Sequence, residues 1–331
     1  MKPIRVVALF LAIISIFLYI LIFRTHHQHY EEMLAVNSLK ELERSPQIVS
    51  ARRLLEQEIQ RSHSFLGIQL DVDAGFFDSR VIVYEIMYRT TDGAEVLGFI
   101  SAPVGYLDNE YPIIIFNRGD TNNTTSGVMT RWRHLLVTRA AFWSTQSYIS
   151  LMTFYRDGRP FGVEGVKYDQ WGGNDVYDVL ALLDLSEALN FRGSGLFMIG
   201  ESRGGMMTYL VLRKDDRVDA AVVVFAVADN VEGYGIWGDT LSNSIGGSPD
   251  ELPYEYYRRS AVNWAHEITT PLLILHGALD EIVPLSQSHR VYDKMRAADR
   301  DVTFIVYEHG SHRFDHDMLN DTIEWLRMVQ P

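Results

Sequence analysis

The sequence contains no cysteine. Disulfides, thiol nucleophiles and cysteine-ligated zinc are therefore excluded, although the compartment stays open. Positive charge is also scarce: 30 Lys and Arg stand against 43 Asp and Glu, giving a net charge of −13. A nucleic-acid partner needs a basic face, so that class is excluded too. Internal repeats and low-complexity tracts are missing as well. What is left is an ordinary globular composition over 331 residues, 47% hydrophobic and 22% charged. It suits one large α/β domain with additions rather than several small ones.

The first feature present is a hydrophobic run. Val6 to Phe23 is apolar except for Ser15, preceded by Lys2 and Arg5 and followed by Arg24. The run is long for a signal-peptide core, and bulky residues rather than a small-x-small cleavage site follow it. Residues 1–24 are therefore expected to be an uncleaved signal anchor, a single membrane-spanning helix. Lys2, Arg5 and the amino terminus outweigh Arg24 with its neighbours Glu31 and Glu32. The amino terminus is then cytoplasmic and the bulk of the chain extracytoplasmic, periplasmic or extracellular. Over Tyr30 to Arg61 apolar residues recur at spacings of three and four, broken at Ser45-Pro46. The pattern predicts amphipathic helices, with residues 25–75 a stalk or lid.

The second feature is Phe197-Met198-Ile199-Gly200-Glu201-Ser202-Arg203-Gly204-Gly205-Met206. A short apolar run reading as a buried strand enters Gly-x-Ser-x-Gly-Gly, and Met206 to Leu212 reads as a buried helix. Strand, tight turn and helix in that order form the nucleophile elbow of an α/β-hydrolase. Gly200 and Gly204 stand where a Cβ would clash. The turn lifts the Ser202 hydroxyl clear of the sheet, and the N–H of Arg203 can face a developing oxyanion.

The rest of the chain fits that frame. Val81–Tyr88 and Val96–Ile100, joined through Thr91-Asp92-Gly93, read as a β-hairpin. Strands follow at 111–116, 148–154, 195–199, 220–225, 270–275 and 302–306, with helices between several of them. This alternation predicts a doubly wound, mostly parallel sheet in a domain over 76–331. The stretch 229–268, rich in Gly, Tyr and Trp, reads as an insertion over the site.

A serine nucleophile needs a base and an orienting carboxylate, which in this fold follow it in the chain as acid, then His. Sites of open α/β sheets gather at the C-terminal strand edge. The loop after the strand at 270–275 offers Asp280, with Glu281 in competition. The loop after 302–306 offers His312, with His309 in competition. Neither a metal nor another cofactor is expected: Gly310-Ser311 breaks the helix that His309, His312 and His316 would need, and His26, His27 and His29 read as a solvated patch. His276 reads as a support for its loop.

From Tyr111 onward the chain resembles the catalytic domain of the prolyl oligopeptidase family. The matching segments are Asn117-Arg118-Gly119, Tyr155-Arg156-Asp157-Gly158 and Trp171-Gly172-Gly173-Asn174-Asp175-Val176-Tyr177-Asp178-Val179. Further matches are Gly200-Glu201-Ser202-Arg203-Gly204-Gly205, Pro271-Leu272-Leu273-Ile274-Leu275-His276-Gly277 with Asp280 and Val283-Pro284, and Gly310-Ser311-His312. The resemblance implies Ser202 as nucleophile, Asp280 as acid and His312 as base, and favours His312 over His309.

Two departures accompany it. The β-propeller that filters substrates in family peptidases does not fit into the residues before the hydrolase core, so small esters and amides stand beside short peptides as substrates. The tyrosine that family members often supply to the oxyanion hole has no counterpart in Asn117–Thr124. The second donor is then a backbone N–H near Gly119 or Asp120. Arg118, Arg156 and Arg159 lie in loops at the active edge, as binders of a substrate carboxylate or as ties to Asp120, Asp157 or Asp175. Tyr234, Trp237 and Tyr254 of the insertion either line an acyl pocket or pack a lid.

Overall fold

The computed structural model describes residues 45–54, 80–106, 109–119, 126–156, 170–189 and 195–330, with Leu42, Glu58, Ile59 and Gly193. The expected membrane anchor at Val6 to Phe23 lies outside the described residues. Among the described residues no helix is long and apolar enough to cross a membrane.

A nine-stranded sheet organises the chain, in the order β1-β2-β3-β5-β4-β6-β7-β8-β9. Its antiparallel side is β1 (Ile48–Arg53), β2 (Val81–Arg89) and β3 (Glu95–Pro103). β3 pairs antiparallel with β5 (Ile149–Thr153), which pairs parallel with β4 (Ile113–Asn117). β6 (Leu196–Glu201), β7 (Ala220–Val224), β8 (Leu272–Gly277) and β9 (Val302–Tyr307) continue the parallel part. From β4 the chain steps one way to β5 and then returns past β4 to β6. The sheet thus has its switch point between β4 and β6, where a crevice opens beyond the carboxyl ends of the strands.

Successive side chains on a strand face opposite sides, and here both sides are dry. Ile115, Met198, Val223 and Ile274 enter one core; Ile114, Ile199, Val222 and Leu275 enter the other. The first core is closed by α2 (Val176–Ala188), α3 (Arg203–Leu212) and α7 (Leu285–Ala297), through residues such as Leu182, Val211 and Met295. The second is closed by α1 (Ser126–Thr145) and α8 (His316–Val329), through Val137, Met318 and Leu326. Helices on both faces of a mostly parallel sheet are the arrangement that the alternating pattern predicts, and the architecture is that of an α/β-hydrolase. Between β7 and β8 the expected insertion consists of α4 (Asn230–Ile245), α5 (Pro253–Arg259), α6 (Ala261–Trp264) and a 3₁₀ turn at Ala265–Glu267.

One expectation needs correcting. Ile48–Arg53 is not part of a helical stalk but an edge strand, paired antiparallel with β2. Its backbone extends from a turn at Pro46-Gln47, and Arg52 reaches both Glu58 and Glu85, at 2.9 and 3.1 Å. The four-residue spacing of Ala51, Leu55 and Ile59 imitated a helix. The β-branched pair Ile48-Val49 and the sheet's unpaired edge decide for a strand.

Candidate active site

The turn after β6 is under backbone strain. Ser202 has φ 55° and ψ −121°, a region that residues with a Cβ rarely occupy. Its N–H donates to the carbonyl of Val224 at 2.9 Å, and its carbonyl accepts from the N–H groups of Gly205 and Val227 at 3.0 and 3.1 Å. These bonds fasten the turn to the end of β7. A Cβ on Gly204 would lie 2.0 Å from the carbonyl oxygen of Asn117, so only glycine lets α3 start against the end of β4. The loop leaving β4 runs beside the serine, where a Cβ on Gly119 would be 3.6 Å from that of Ser202. The N–H of Arg203 opens α3, in the turn whose donors have no carbonyl within the helix to meet.

Two further loops close on this turn. The N–H groups of Ala278 and Leu279, just past β8, donate to the carbonyls of Tyr307 and Gly310, both at 2.8 Å. Gly277 and Gly310 touch so closely that a Cβ on Gly277 would stand 2.4 Å from the Gly310 backbone. Asp280 and His312 project from these joined loops. His312 Nδ1 lies 2.8 Å from Asp280 Oδ2 and its Nε2 lies 3.0 Å from Ser202 Oγ, across 110 residues of chain. A carboxylate only accepts, so Nδ1 carries the proton and Nε2 is left to accept from the serine hydroxyl. The ring of Phe225 backs the imidazole, with centroids 4.3 Å apart.

The Asp280 side chain is wholly buried. Burial alone would raise its carboxyl, but hydrogen bonds from His276, His312 and the N–H of Val283 outweigh this and hold it well below the usual carboxylate range. Its Oδ1 accepts from the N–H groups of Ile282 and Val283 at 2.8 and 2.9 Å. The carboxylate therefore stays charged and fixed in direction. The competing candidates Glu281 and His309 are exposed.

The expected substrate-binding arginines are used inside the protein. Arg118 is buried and donates to the carbonyls of Gly119 and Phe154, at 3.0 and 2.6 Å. Arg156 is clasped by Asp178 and Asp92, at 2.6 and 2.9 Å; Asp157 lies outside the described residues. Burial pushes the Asp178 carboxyl up, to about 7, against the hydrogen bond and charge of Arg156. Asp175 instead pairs with the buried side chain of Arg203 at 2.7 Å. The ring of Tyr155 lies between two guanidiniums, 4.7 Å from Arg118 and 4.6 Å from Arg203. Such stacking joins the loop after β4 to the start of α3 from beneath. Neither Arg118 nor Arg156 is left to meet a substrate, so that expectation is corrected.

Tyr234 and Trp237 are half-buried and pack edge-on or tilted against Tyr256 and Trp171. Trp237 holds the insertion to the loop before α2, where Asn230 also accepts from the Trp171 indole at 2.7 Å, while Tyr234 packs within the insertion. Asp120 and Arg159 lie outside the described residues. Phe225 and the contact of His276 with Asp280 escaped sequence reasoning. The first lies at the end of an ordinary apolar strand; the second has a visible signal, the four-residue spacing of His276 and Asp280 at a strand end.

Comparison with known proteins agrees with this architecture. The profile of the "Prolyl oligopeptidase family" matches residues 136–329, more than half of the chain. The "Uncharacterized peptidase YtmA" of Bacillus subtilis is 23% identical over 256 residues, 75% of this chain and 94% of that protein. "Dipeptidyl-peptidase 5" of Porphyromonas gingivalis is 26% identical over 68% of this chain. The chain spans only 34% of that protein, and 35% of the "Uncharacterized peptidase YuxL" of Bacillus subtilis, which is 24% identical over 69% of this chain. Among solved structures, the acylaminoacyl peptidase of Pyrococcus horikoshii superposes with a TM-score of 0.63 at 18% identity. That match covers 78% of this chain and 44% of the other.

The Gly277–Gly310 contact generates a test. In Gly277→Ala the added methyl pushes the two loops apart and lengthens the path from Asp280 through His312 to Ser202. A displacement near 1 Å costs about 100-fold in rate. The labelling rate of the folded variant by a fluorophosphonate probe should fall by about that factor; a rate equal to wild type would contradict the loop contact's role.

Proposed function

As the chain belongs to the prolyl oligopeptidase family, we propose that it is a serine hydrolase that passes an acyl group from an amide or ester to water through an acyl-enzyme. The observation that carries the reading is the pair of hydrogen bonds through His312, 3.0 Å to Ser202 and 2.8 Å to Asp280. Ser202 Oγ attacks the substrate carbonyl carbon while His312 Nε2 takes the hydroxyl proton. Asp280, already ionised and fixed, steadies the imidazolium that results. The carbonyl oxygen becomes an oxyanion, facing the N–H of Arg203 and a second N–H from Gly119 or Asp120. As the tetrahedral adduct collapses, the imidazolium returns its proton to the departing amine or alcohol. Water then repeats the sequence on the acyl-enzyme, with His312 again as base.

For the substrate, small amides and short peptides are the leading class, supported by relatives named as dipeptidyl and acylaminoacyl peptidases. Small acyl esters are the alternative, since they react through the same steps. The competing class is a binding protein that keeps the fold without turnover. A fluorophosphonate probe should label the folded chain, and Ser202→Ala should abolish labelling. Asp280→Asn should lower turnover of a labelled-competent amide or ester by about 10⁴-fold. Absence of labelling in folded wild-type protein would favour the binding protein.

The amino-terminal run extends the proposal to location. Anchored through Val6–Phe23 with Lys2 and Arg5 on the cytoplasmic side, the chain would hold its site outside the cytoplasm, facing substrates there. Full-length protein should stay with membranes through an alkaline carbonate wash; its release into the wash would refute the anchor.

A further inference from the structure

Behind the Asp280 carboxylate stands a second imidazole. His276, at the end of β8, is fully buried, and its Nε2 lies 3.0 Å from the Val283 carbonyl and 3.3 Å from Asp280 Oδ2. Its Nδ1 lies 2.7 Å from the hydroxyl of Ser288 on α7. Both neighbours of Nε2 are acceptors only, so Nε2 carries a proton, and the Ser288 hydroxyl is placed to donate to Nδ1. The Nε2–H is hydrogen-bonded to the Val283 carbonyl and also lies close to Asp280 Oδ2, so that oxygen has an imidazole bonded in front, His312, and a second one near it behind, His276.

We propose that His276 is a positioning residue for the hydrolytic reaction, setting the charge that Asp280 offers to His312 through its Nε2–H. The proposal rests on the acyl-transfer reading above. A carboxylate oxygen that already faces one N–H has less negative charge for another. His276 therefore weakens the pull of Asp280 on the imidazolium of His312. Removing that N–H would leave Asp280 a stronger partner for the protonated ring, at the expense of the neutral imidazole that accepts the Ser202 proton. Of the other charged groups of these two loops, Glu281, Glu308 and Arg313 are exposed, as is His309, and Asp315 caps α8 by accepting from the N–H of Met318. On α7, Arg290 is engaged with Asp229 and Glu232. None of these groups changes in the variants below.

Three substitutions separate this role from simple packing. His276→Leu removes both ring nitrogens. His276→Asn keeps a polar partner near Ser288 but stops short of Asp280. His276→Gln is long enough to place an amide N–H where Nε2 stood. The readout is kcat/KM for 4-nitrophenyl acetate across about pH 5 to about pH 9, which reports the free enzyme's essential base. Folding is checked by circular dichroism.

His276→Leu and His276→Asn should move the acid limb upward by about 0.5 to 1 pH unit, a loss of about three- to tenfold on that limb. At alkaline pH both should approach wild type, and His276→Gln should return the limb to its original place. If His276→Leu fails to fold, the Asn and Gln pair carries the comparison. A profile lowered evenly with its limb unmoved, or Gln shifted as far as Asn, overturns the proposal. Wild-type labelling by a fluorophosphonate, lost in Ser202→Ala, is run alongside. If wild type is not labelled, the acyl-transfer reading fails; if it is labelled while the limb stays fixed in the variants, only the role of His276 fails.

Discussion

Everything at the site depends on one residue being held in a conformation it would not choose. Ser202 sits at φ 55° because the chain must turn from β6 into α3 within a single residue. The strain persists because the neighbours leave no alternative: β7 takes its N–H, Gly205 and Val227 take its carbonyl, and Gly204 is pressed against the end of β4. Backbone strain of this kind costs on the order of 1–3 kcal/mol and survives only where surrounding structure over-determines it. In return the hydroxyl stands above the sheet, within 3.0 Å of an imidazole delivered by the last loop of the fold.

The same economy appears in the loops that bring the acid and base. They are not independently flexible arms: two glycines in backbone contact and two hydrogen bonds make them one unit. Below the turn, the alternation of Arg118, Tyr155, Arg203 and Trp171 locks the loop after β4 to the start of α3. Buried charges are costly unless paired, and here Asp175 answers Arg203 while Asp178 answers Arg156. The rim of the site can therefore be built from loops and still hold its reacting groups within hydrogen-bond distance.

Much of this was legible in the sequence, for identifiable reasons. The parallel strands are continuous apolar runs because both faces are covered, and such runs stand out against their polar connections. Gly-x-Ser-x-Gly-Gly and the two strand-end loops carry residue types that chemistry and sterics both demand, so Ser202, Asp280 and His312 could be picked before they were seen together. Ile48–Arg53 was misread because a short edge strand bears no apolar run of its own, and its pairing with β2 is a long-range fact. Arg118 and Arg156 stood open between substrate binding and a tie between loops, because a guanidinium in a loop reads as available. Only tertiary packing reveals that carbonyls and carboxylates have already taken it. α1 and α7 gave little signal, because polar and charged residues interrupt their apolar ones along the helix.

The central claim is that a single strained serine becomes acylated with the help of His312. It is tested most directly by mixing the folded protein with 4-nitrophenyl acetate, quenching in acid within the first turnover, and mapping the acetyl group by mass spectrometry. The account predicts one acetyl group per chain, on the peptide bearing Ser202, and none there in His312→Ala over the same interval. Acetyl found on another residue, or none on Ser202 while nitrophenol is released, would contradict it.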